Sequence, residues 1–370
     1  MLASTCLSGT RQVWSATDRD SARSPSARAA HWLIRQQHED GGWHSQVYGN
    51  LRTGVGISAL ILKSLSYVRN GYLAADGEVI DAALIRGFRY LTQAQDTNGL
   101  VASPSGESDQ PVYATCLLLD ALQTSPLGNR HLGLARKLLA SLQLAQFGPA
   151  NGCPESAFEF GGFGPLAPEK GARRPGDSAN LSVTSHALQT LRRYDQLSES
   201  IARRARIFLD RCQGWTDDPP KKLGFAFTPD PNSPLNKQGF LKLPDGSQAP
   251  RASPTATVDG ILAMEATPGY SPEAIQQAFD EYQTMSRLPS PPTGKPPSDS
   301  GLAYYHLARL GELYKHPTNQ TRLPRWQQLA RRFIAAQHPD GHWINSINTM
   351  REDDPLIATA LAIIGLTAAS

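Results

Sequence analysis

The sequence predicts an all-α protein, an (α/α)6 toroid: a double-layered barrel of six helical hairpins. Three observations lead there. One phrase of about sixty residues returns along the 370-residue chain. Each return ends a helix at an Asp-Gly, Asn-Gly or Gly-rich turn followed by an aromatic or large apolar residue. After a variable loop, a Thr or Ser announces a second, more apolar helix.

Unit one runs through Ala29-Ala30-His31-Trp32-Leu33-Ile34 to Gln36-Gln37, then Asp40-Gly41-Gly42-Trp43. Its second helix begins near Thr53 and carries Leu60, Ile61, Leu62 and Leu65. Unit two has Tyr90-Leu91 and Gln95, the turn Asn98-Gly99-Leu100, and Thr115 before Leu117-Leu118-Leu119. Unit three has Leu138-Leu139 and Leu142, then Gly161-Gly162-Phe163, then Thr184 before Ala187-Leu188. Unit four has Ile207-Phe208-Leu209, then Gly224-Phe225, then Thr257 before Ile261-Leu262. Unit six has Phe333-Ile334 and Gln337, then Asp340-Gly341-His342-Trp343, then Thr359 before a run from Ala360 to Ile364. The turn residues at 43, 100, 163, 225 and 343 step by 57, 63, 62 and 118, and the last interval is two steps of 59. A worn fifth unit fills it: a helix over 275–285, a Pro-rich loop at 289–297, then Ser300 before Leu302, Tyr304, Tyr305 and Leu307.

Each part of the phrase has a physical reading. The glycine supplies positive φ for the turn that ends the first helix. The aromatic after it folds back on the hairpin. Thr or Ser suits the first turn of the second helix. The second helices are apolar on most sides, so they are buried; the first carry Arg, Lys and Gln along one face, so they are outer helices. The resulting layout is a short extension, 1–20, and one domain of six repeats over 21–370.

Composition fits a folded body with a large core: 40% of residues are hydrophobic and 19% charged. A net charge of +3 with scattered basic residues gives no nucleic-acid surface. The four cysteines Cys6, Cys116, Cys153 and Cys212 lie far apart and form no CxxC pair, which reads as reduced, packed residues. The longest uncharged apolar run, 355–370, falls short of the about 20 residues of a membrane span. The expectation is a cytoplasmic protein with no integral membrane segment, peripheral membrane contact remaining open. Phosphate loops, a Gly-x-Ser-x-Gly elbow and His-Glu-x-x-His are absent.

Residues 36–43 (QQHEDGGW) and 337–343 (QHPDGHW) resemble the Gln-rich, Gly-Trp repeats of squalene-hopene and other triterpene cyclases. Gly161-Gly162-Phe163-Gly164 resembles the Gly-Gly-Phe-Gly segments of protein prenyltransferase β subunits. The resemblance covers all six units in pattern and is strongest at the two ends. It implies a toroid whose cavity binds a small apolar, isoprenoid ligand, with no cofactor. It implies no particular reaction, because the cyclases' Asp-x-Asp-Asp acid motif and the prenyltransferases' zinc-binding Asp, Cys and His are both missing. The competing expectation is a non-catalytic toroid that binds a protein or glycan partner. A toroid that cleaves polysaccharide ranks behind both, because few aromatics are free to form a sugar platform.

Acids just ahead of the Thr or Ser markers face one mouth of such a barrel. Asp109, Asp177, Asp299, Glu352, Asp353 and Asp354 occupy such places. Asp353 and Asp354 are candidates for catalysis, with capping as their competing role; Asp354 suits the cap and Pro355 the first turn of the last helix. Asp177 lies nine residues before His186, and the two would form an acid–base pair at the mouth. Asp259 sits inside an apolar helix, where a carboxylate is costly unless it meets a polar cavity or a partner. It is therefore the acid singled out for function. Tyr113, Tyr304, Tyr305, His306, Asp299 and Glu352 are expected to line the cavity, where aromatic faces suit a carbocation. No metal ligand set is expected.

Overall fold

The computed structural model describes residues 24–71, 77–103, 110–166, 178–216, 221–287, 303–321, 326–346, 348 and 351–367. The expected extension at 1–20, the Pro-rich loop and Ser300 of unit five, and Asp109, Asp177 and Asp299 lie outside them.

The described chain is mostly helical. Its helices are α1 (Pro25–Arg35), α2 (Val55–Gly71), α3 (Gly77–Thr92), α4 (Pro111–Thr124), α5 (Leu132–Leu144), α6 (Leu181–Arg193) and α7 (Glu199–Arg211). They continue as α8 (Pro254–Ala266), α9 (Pro272–Arg287), α10 (Ala303–Tyr314), α11 (Pro317–Gln320), α12 (Trp326–Ala335) and α13 (Pro355–Leu366). Local chemistry starts many of them. Ser24, Asn180, Ser198, Ser253 and Asp354 each accept a backbone N–H of the first turn, and Pro25, Pro254 and Pro355 occupy the first helical position.

Two populations of helix differ in burial. In α8 every residue from Thr255 to Met264 is buried, and in α13 every residue from Ala358 to Leu366. In α7 only Ile201, Ala202, Ala205, Phe208 and Leu209 are buried, the single stripe of a helix with one wet side. The buried helices pack in sequence: α2 on α4, α4 on α6, α6 on α8, α8 on α10, α10 on α13, and α13 back on α2. Stripe-bearing helices lie against them, α1 on α13 and α2, α5 on α4 and α6, α7 on α6 and α8, and α12 on α10 and α13.

The repeated Thr and Ser have a role other than the helix start expected for them. The hydroxyls of Ser58, Thr115, Thr184, Thr257 and Thr359 accept the backbone N–H of Trp43, Val101, Phe163, Phe225 and Trp343 at 2.8–3.0 Å. Each hydroxyl thus ties the turn of one hairpin to its own buried helix. Ser58, not Thr53, is the marker of unit one, and Val101 rather than Leu100 takes the turn position of unit two. The two tryptophans complete the joint. Trp43 Nε1 donates to the Leu33 carbonyl and Trp343 Nε1 to that of Phe333, both at 2.7 Å, satisfying a carbonyl near the end of the outer helix. Changing Thr359 to Val keeps the shape and removes the acceptor, leaving a buried N–H unpaired. The expected loss is about 1–3 kcal/mol in a urea titration; an unchanged midpoint would deny the hydroxyl any part in stability.

Neighbouring units are clasped by a second repeated device. Gln37 Nε2 donates to the Gly41 and Ala83 carbonyls, Gln146 Nε2 to Gly161 and Ile201, and Gln337 Nε2 to Gly341 and Pro25. The side-chain oxygens of these glutamines accept from Arg86, Arg204 and Arg28 on the next outer helix. Gly41 and Gly341 sit at φ 94° and 107°, and a Cβ there would stand 2.6 and 2.7 Å from the carbonyl oxygens of Arg86 and Arg28. Glycine is therefore required twice over, by its φ and by the approach of the next helix.

The all-α expectation needs one amendment. Two short antiparallel hairpins stand between α7 and α8: β1 (Gln213–Thr216) with β2 (Lys221–Phe225), and β3 (Phe240–Lys242) with β4 (Gln248–Pro250). The first hairpin ends on the turn residue Phe225, and the second lies in the long connection that follows it. The turn residue and its hydroxyl partner are 14 to 16 residues apart in units one, two and six, 21 in unit three and 32 in unit four. A segment that long must satisfy its own backbone groups, and pairing β3 with β4 does so for part of it. Cys116, Cys153 and Cys212 are buried free thiols. Among the described residues no helix is long and apolar enough to cross a membrane.

Candidate functional site

A cavity of about 380 Å³ opens among the N-terminal halves of the six buried helices. Its wall takes Ile57 and Leu60 from α2, Tyr113 and Leu117 from α4, Ser182 and Val183 from α6, and Thr255, Ala256 and Asp259 from α8. Tyr305 of α10 and Ile357 and Leu361 of α13 complete it. Most of this surface is apolar, and the volume lies at the lower end of the ~300–1,000 Å³ typical of small-molecule sites. Phe227, Leu235, Lys237 and Arg251 reach it from the unit-four connection.

Asp259 is the one carboxylate among the described residues that line the cavity. It is 1% exposed. Tyr305 Oη donates to its two oxygens at 2.9 and 3.2 Å, and Arg309 Nε to Oδ1 at 2.5 Å. Burial raises its pKa, and Arg309 and Tyr305 offset that only in part. Ser182, also on the wall, stands 2.5 Å from the Tyr305 hydroxyl. Burial likewise raises the phenols of Tyr113 and Tyr305, which stay neutral.

Asp259 is the end of a longer arrangement. Arg309 also bonds Glu312; Glu312 bonds Lys63; Lys63 meets Asp120 at 3.0 Å; Asp120 meets Arg193 at 2.8 Å. Six charges of alternating sign join α8, α10, α2, α4 and α6 beneath the cavity. Lys63, Asp120, Arg309, Glu312 and Asp259 are almost wholly withdrawn from water. Burial alone would raise Asp120 and Glu312; the neighbouring Lys63, with Arg193 or Arg309, outweighs it and holds both below the ordinary range. Serine and glutamine fill the gaps: Arg309 Nη2 donates to Ser185 at 2.8 Å and Nη1 to Gln189 at 3.4 Å.

The remaining sequence candidates have other surroundings. His186 is buried against the edge of Tyr113 with ring centroids 4.8 Å apart, neither nitrogen has a hydrogen-bond partner, and it is not on the cavity wall. Burial, then Arg309 and Lys63, hold its pKa well below that of an ordinary histidine, so it is a neutral packed ring. His306 accepts or donates between Thr255 and Tyr282, each at 3.2 Å, and burial lowers its pKa to about 4. Tyr304 donates to the Ile344 carbonyl at 3.3 Å. Asp354 caps α13, accepting from Leu356 at 2.9 Å and from the Ser45 hydroxyl at 2.6 Å; Asp353 accepts from Tyr48. None of these lines the cavity.

Glu352 is occupied at the start of α10. It accepts the backbone N–H groups of Tyr304 and Tyr305 at 3.1 and 2.9 Å and the Asn345 amide at 2.8 Å. Burial pushes its pKa up to about 7, partly countered by those donors. A carboxyl whose pKa is higher folded than unfolded contributes fully below the unfolded pKa, about 4.5, and loses that contribution as pH rises through about 7. The stability gap between the native chain and Glu352→Gln should therefore shrink between pH 5 and pH 8, by on the order of 3 kcal/mol. Denaturant titrations at the two pH values read the gap, and a constant gap would show that Glu352 ionises freely.

No known family and no curated protein matches the sequence. Solved structures do. The type II terpene cyclase MstE from Scytonema, in complex with geranylgeranyl dihydroxybenzoate, superimposes with a TM-score of 0.57 at 14% identity, covering 95% of this chain and 97% of that one. A family 76 glycoside hydrolase from a bovine Bacteroides thetaiotaomicron strain gives 0.59 at 14% identity over 95% and 78%. An α-amylase from Clostridium perfringens gives 0.54 at 9% identity over 94% and 99%. At such identities the likeness is one of fold.

Proposed function

We propose that the chain is an α/α toroid of six hairpins that holds a small isoprenoid in its cavity and protonates it with Asp259. The observation that carries this reading is a buried acid, the one carboxylate among the described residues on the wall of an apolar chamber, with its pKa raised by burial. Burial raises the proton affinity of Asp259, and Tyr305 and Arg309 stabilise the carboxylate left after the proton has gone. Both properties suit a general acid.

The chemistry balances with these residues alone. Asp259 gives its proton to one alkene carbon, and the alkene's π pair becomes the new C–H bond. The cation left on the other carbon draws the π pair of a second alkene, closing a ring. A carbon beside the cation then returns a proton to the Asp259 carboxylate, its C–H pair becoming the new double bond, which balances the proton delivered and regenerates the acid. Tyr113, Tyr305 and Phe227 line the chamber and offer aromatic faces to the cation. Apolar walls keep water from quenching it.

Glycan hydrolysis fits less well. It ordinarily needs two carboxyl groups flanking the bond, roughly 5–9.5 Å apart, and the described wall has one. The test is direct: purified protein is mixed with C15, C20 and C30 isoprenoids, and binding and product formation are followed. Cyclised product supports the reading. Failure of every one to bind would end it; binding without turnover would make the chain a carrier of its ligand.

A further inference from the structure

The charge layer beneath the cavity has a neighbour on the side away from it. Lys63 of α2 bonds Glu312 of α10. One turn further along both helices, at i+4 and i+3, stand Tyr67 and Lys315. These two meet as well: the Lys315 amine lies 3.3 Å from the centre of the Tyr67 ring. Lys315 directly follows Tyr314, the last residue of α10, so the contact sits at the end of the barrel opposite the cavity. Arg193, the one member of the layer that reaches water, is the last residue of α6 and lies towards the same end.

Lys315 is the cation left over. The layer pairs Lys63, Arg193 and Arg309 with Asp120, Glu312 and Asp259, and Lys315 adds a fourth cation beside it. Among the described residues its amine meets a ring face and no carboxylate. Glu312 and Asp120 attract it from a distance, but each is already bonded to two other cations. Burial over the ring, with repulsion from Lys63 and Arg193, outweighs that attraction and brings the pKa of Lys315 down to about 8. The residue as a whole is nevertheless exposed, so a reagent in water can reach it. An amine that sheds its proton near neutral pH is a nucleophile. An uncharged amide in its place would have no charge to desolvate over the ring, and would leave three cations to three anions.

We propose that Lys315 is an acylation site, which takes a small acyl group from a thioester or an acyl phosphate. The lone pair of the neutral amine attacks the carbonyl carbon. The new N–C bond forms as the C–S or C–O bond to the leaving group breaks, and the thiolate or phosphate departs with the bond pair. The nitrogen's surplus proton passes to that leaving group or to water. The products are a neutral amide and a thiol or free phosphate, and no oxidant or metal is needed. The site lies apart from Asp259 and does not depend on what the cavity binds.

The whole chain is incubated at several pH values with acetyl-coenzyme A in one arm and acetyl phosphate in the other. Peptide mass spectrometry follows the acetyl group on each lysine, with the exposed Lys137 of α5 and Lys242 of β3 as references. At neutral pH Lys315 should be acetylated at least tenfold faster than either reference in one arm or both, because an ordinary lysine titrates near about 10.4 and offers far less free amine. Its rate should level off above about pH 8 while theirs keeps climbing. The two arms tell thioester from acyl phosphate as the donor. A Lys315 rate equal to that of Lys137 and Lys242 in both arms, or one that climbs with theirs to pH 10, overturns the proposal. Lys315→Gln, which carries an uncharged amide, should keep or raise the urea midpoint at neutral pH. A lowered midpoint would also overturn it, since the charge would then be wanted where it stands.

Discussion

Glu312→Ala should be the most damaging single change in the buried helices, costing about 3–5 kcal/mol. Its carboxylate bridges Lys63 and Arg309, both 1% exposed. Without it, three cations face two anions, and of the five only Arg193 reaches water. Lys63 keeps Asp120, which Arg193 shares; Arg309 keeps Asp259. The Lys63→Met, Glu312→Leu double variant separates the loss of a partner from the loss of the pair. It removes one charge of each sign and leaves Asp120 with Arg193 and Asp259 with Arg309. Its stability should lie far closer to that of the native chain, because exchanging a buried ion pair for apolar groups of similar volume is often neutral. Denaturant titration of the three proteins decides the matter. Equal losses in the single and double variants would mean that packing, and not unpaired charge, governs this layer.

Asp259→Asn should lower turnover of a cyclised isoprenoid by about 10²–10⁴-fold while the protein still binds it, the range for removing a general acid. Asparagine is nearly isosteric and can still accept from Arg309 Nε and Tyr305 Oη, so the site keeps its shape while its transferable proton is gone. Binding by calorimetry and product by mass spectrometry read the two halves separately. Turnover preserved in Asp259→Asn would remove Asp259 from the chemistry. Tyr305→Phe should have a smaller effect. It deletes one donor to the carboxylate and leaves Arg309 to stabilise the conjugate base.

The sequence made the repeats legible because turns and buried helices leave local marks. Gly41 and Gly341 are forced by φ and by the approaching helix, and Trp43 and Trp343 by the carbonyls they cap. Such constraints leave the same letters at the same spacing. The hydroxyl marker was harder to place. Thr53 and Ser58 both precede the apolar run of unit one, and only the bond to Trp43 tells them apart.

Asp259 stood out as a charge inside an apolar helix. The same signal was present at Lys63 among Ile61, Leu62 and Leu65, and at Asp120 beside Leu117, Leu118 and Leu119, and it went unread there. Which of these charges meet depends on how helices far apart in sequence pack, as when Lys63 finds Glu312. The acids at 352–354 stand together just ahead of the last buried helix. Glu352 and Asp354 proved to be taken up by backbone N–H groups at two helix starts, a demand that density alone does not reveal. The cationic residues of the unit-four connection carry no motif and become visible only when the loop is laid over the cavity.

The bond set joining Gln337 and Gly341 to the start of α1 repeats the one joining Gln37 and Gly41 to α3. A linear stack of such units would expose a raw apolar face at either extremity and would need polar end pieces to hide it. Here, among the described residues, the unit that would have been last leans on the one that would have been first, so each covers the face the other would have exposed. Loss of structure should then be all-or-none for the whole ring. Tryptophan fluorescence and far-ultraviolet circular dichroism should give coincident denaturation midpoints; separated midpoints would mean that the units come apart piecemeal.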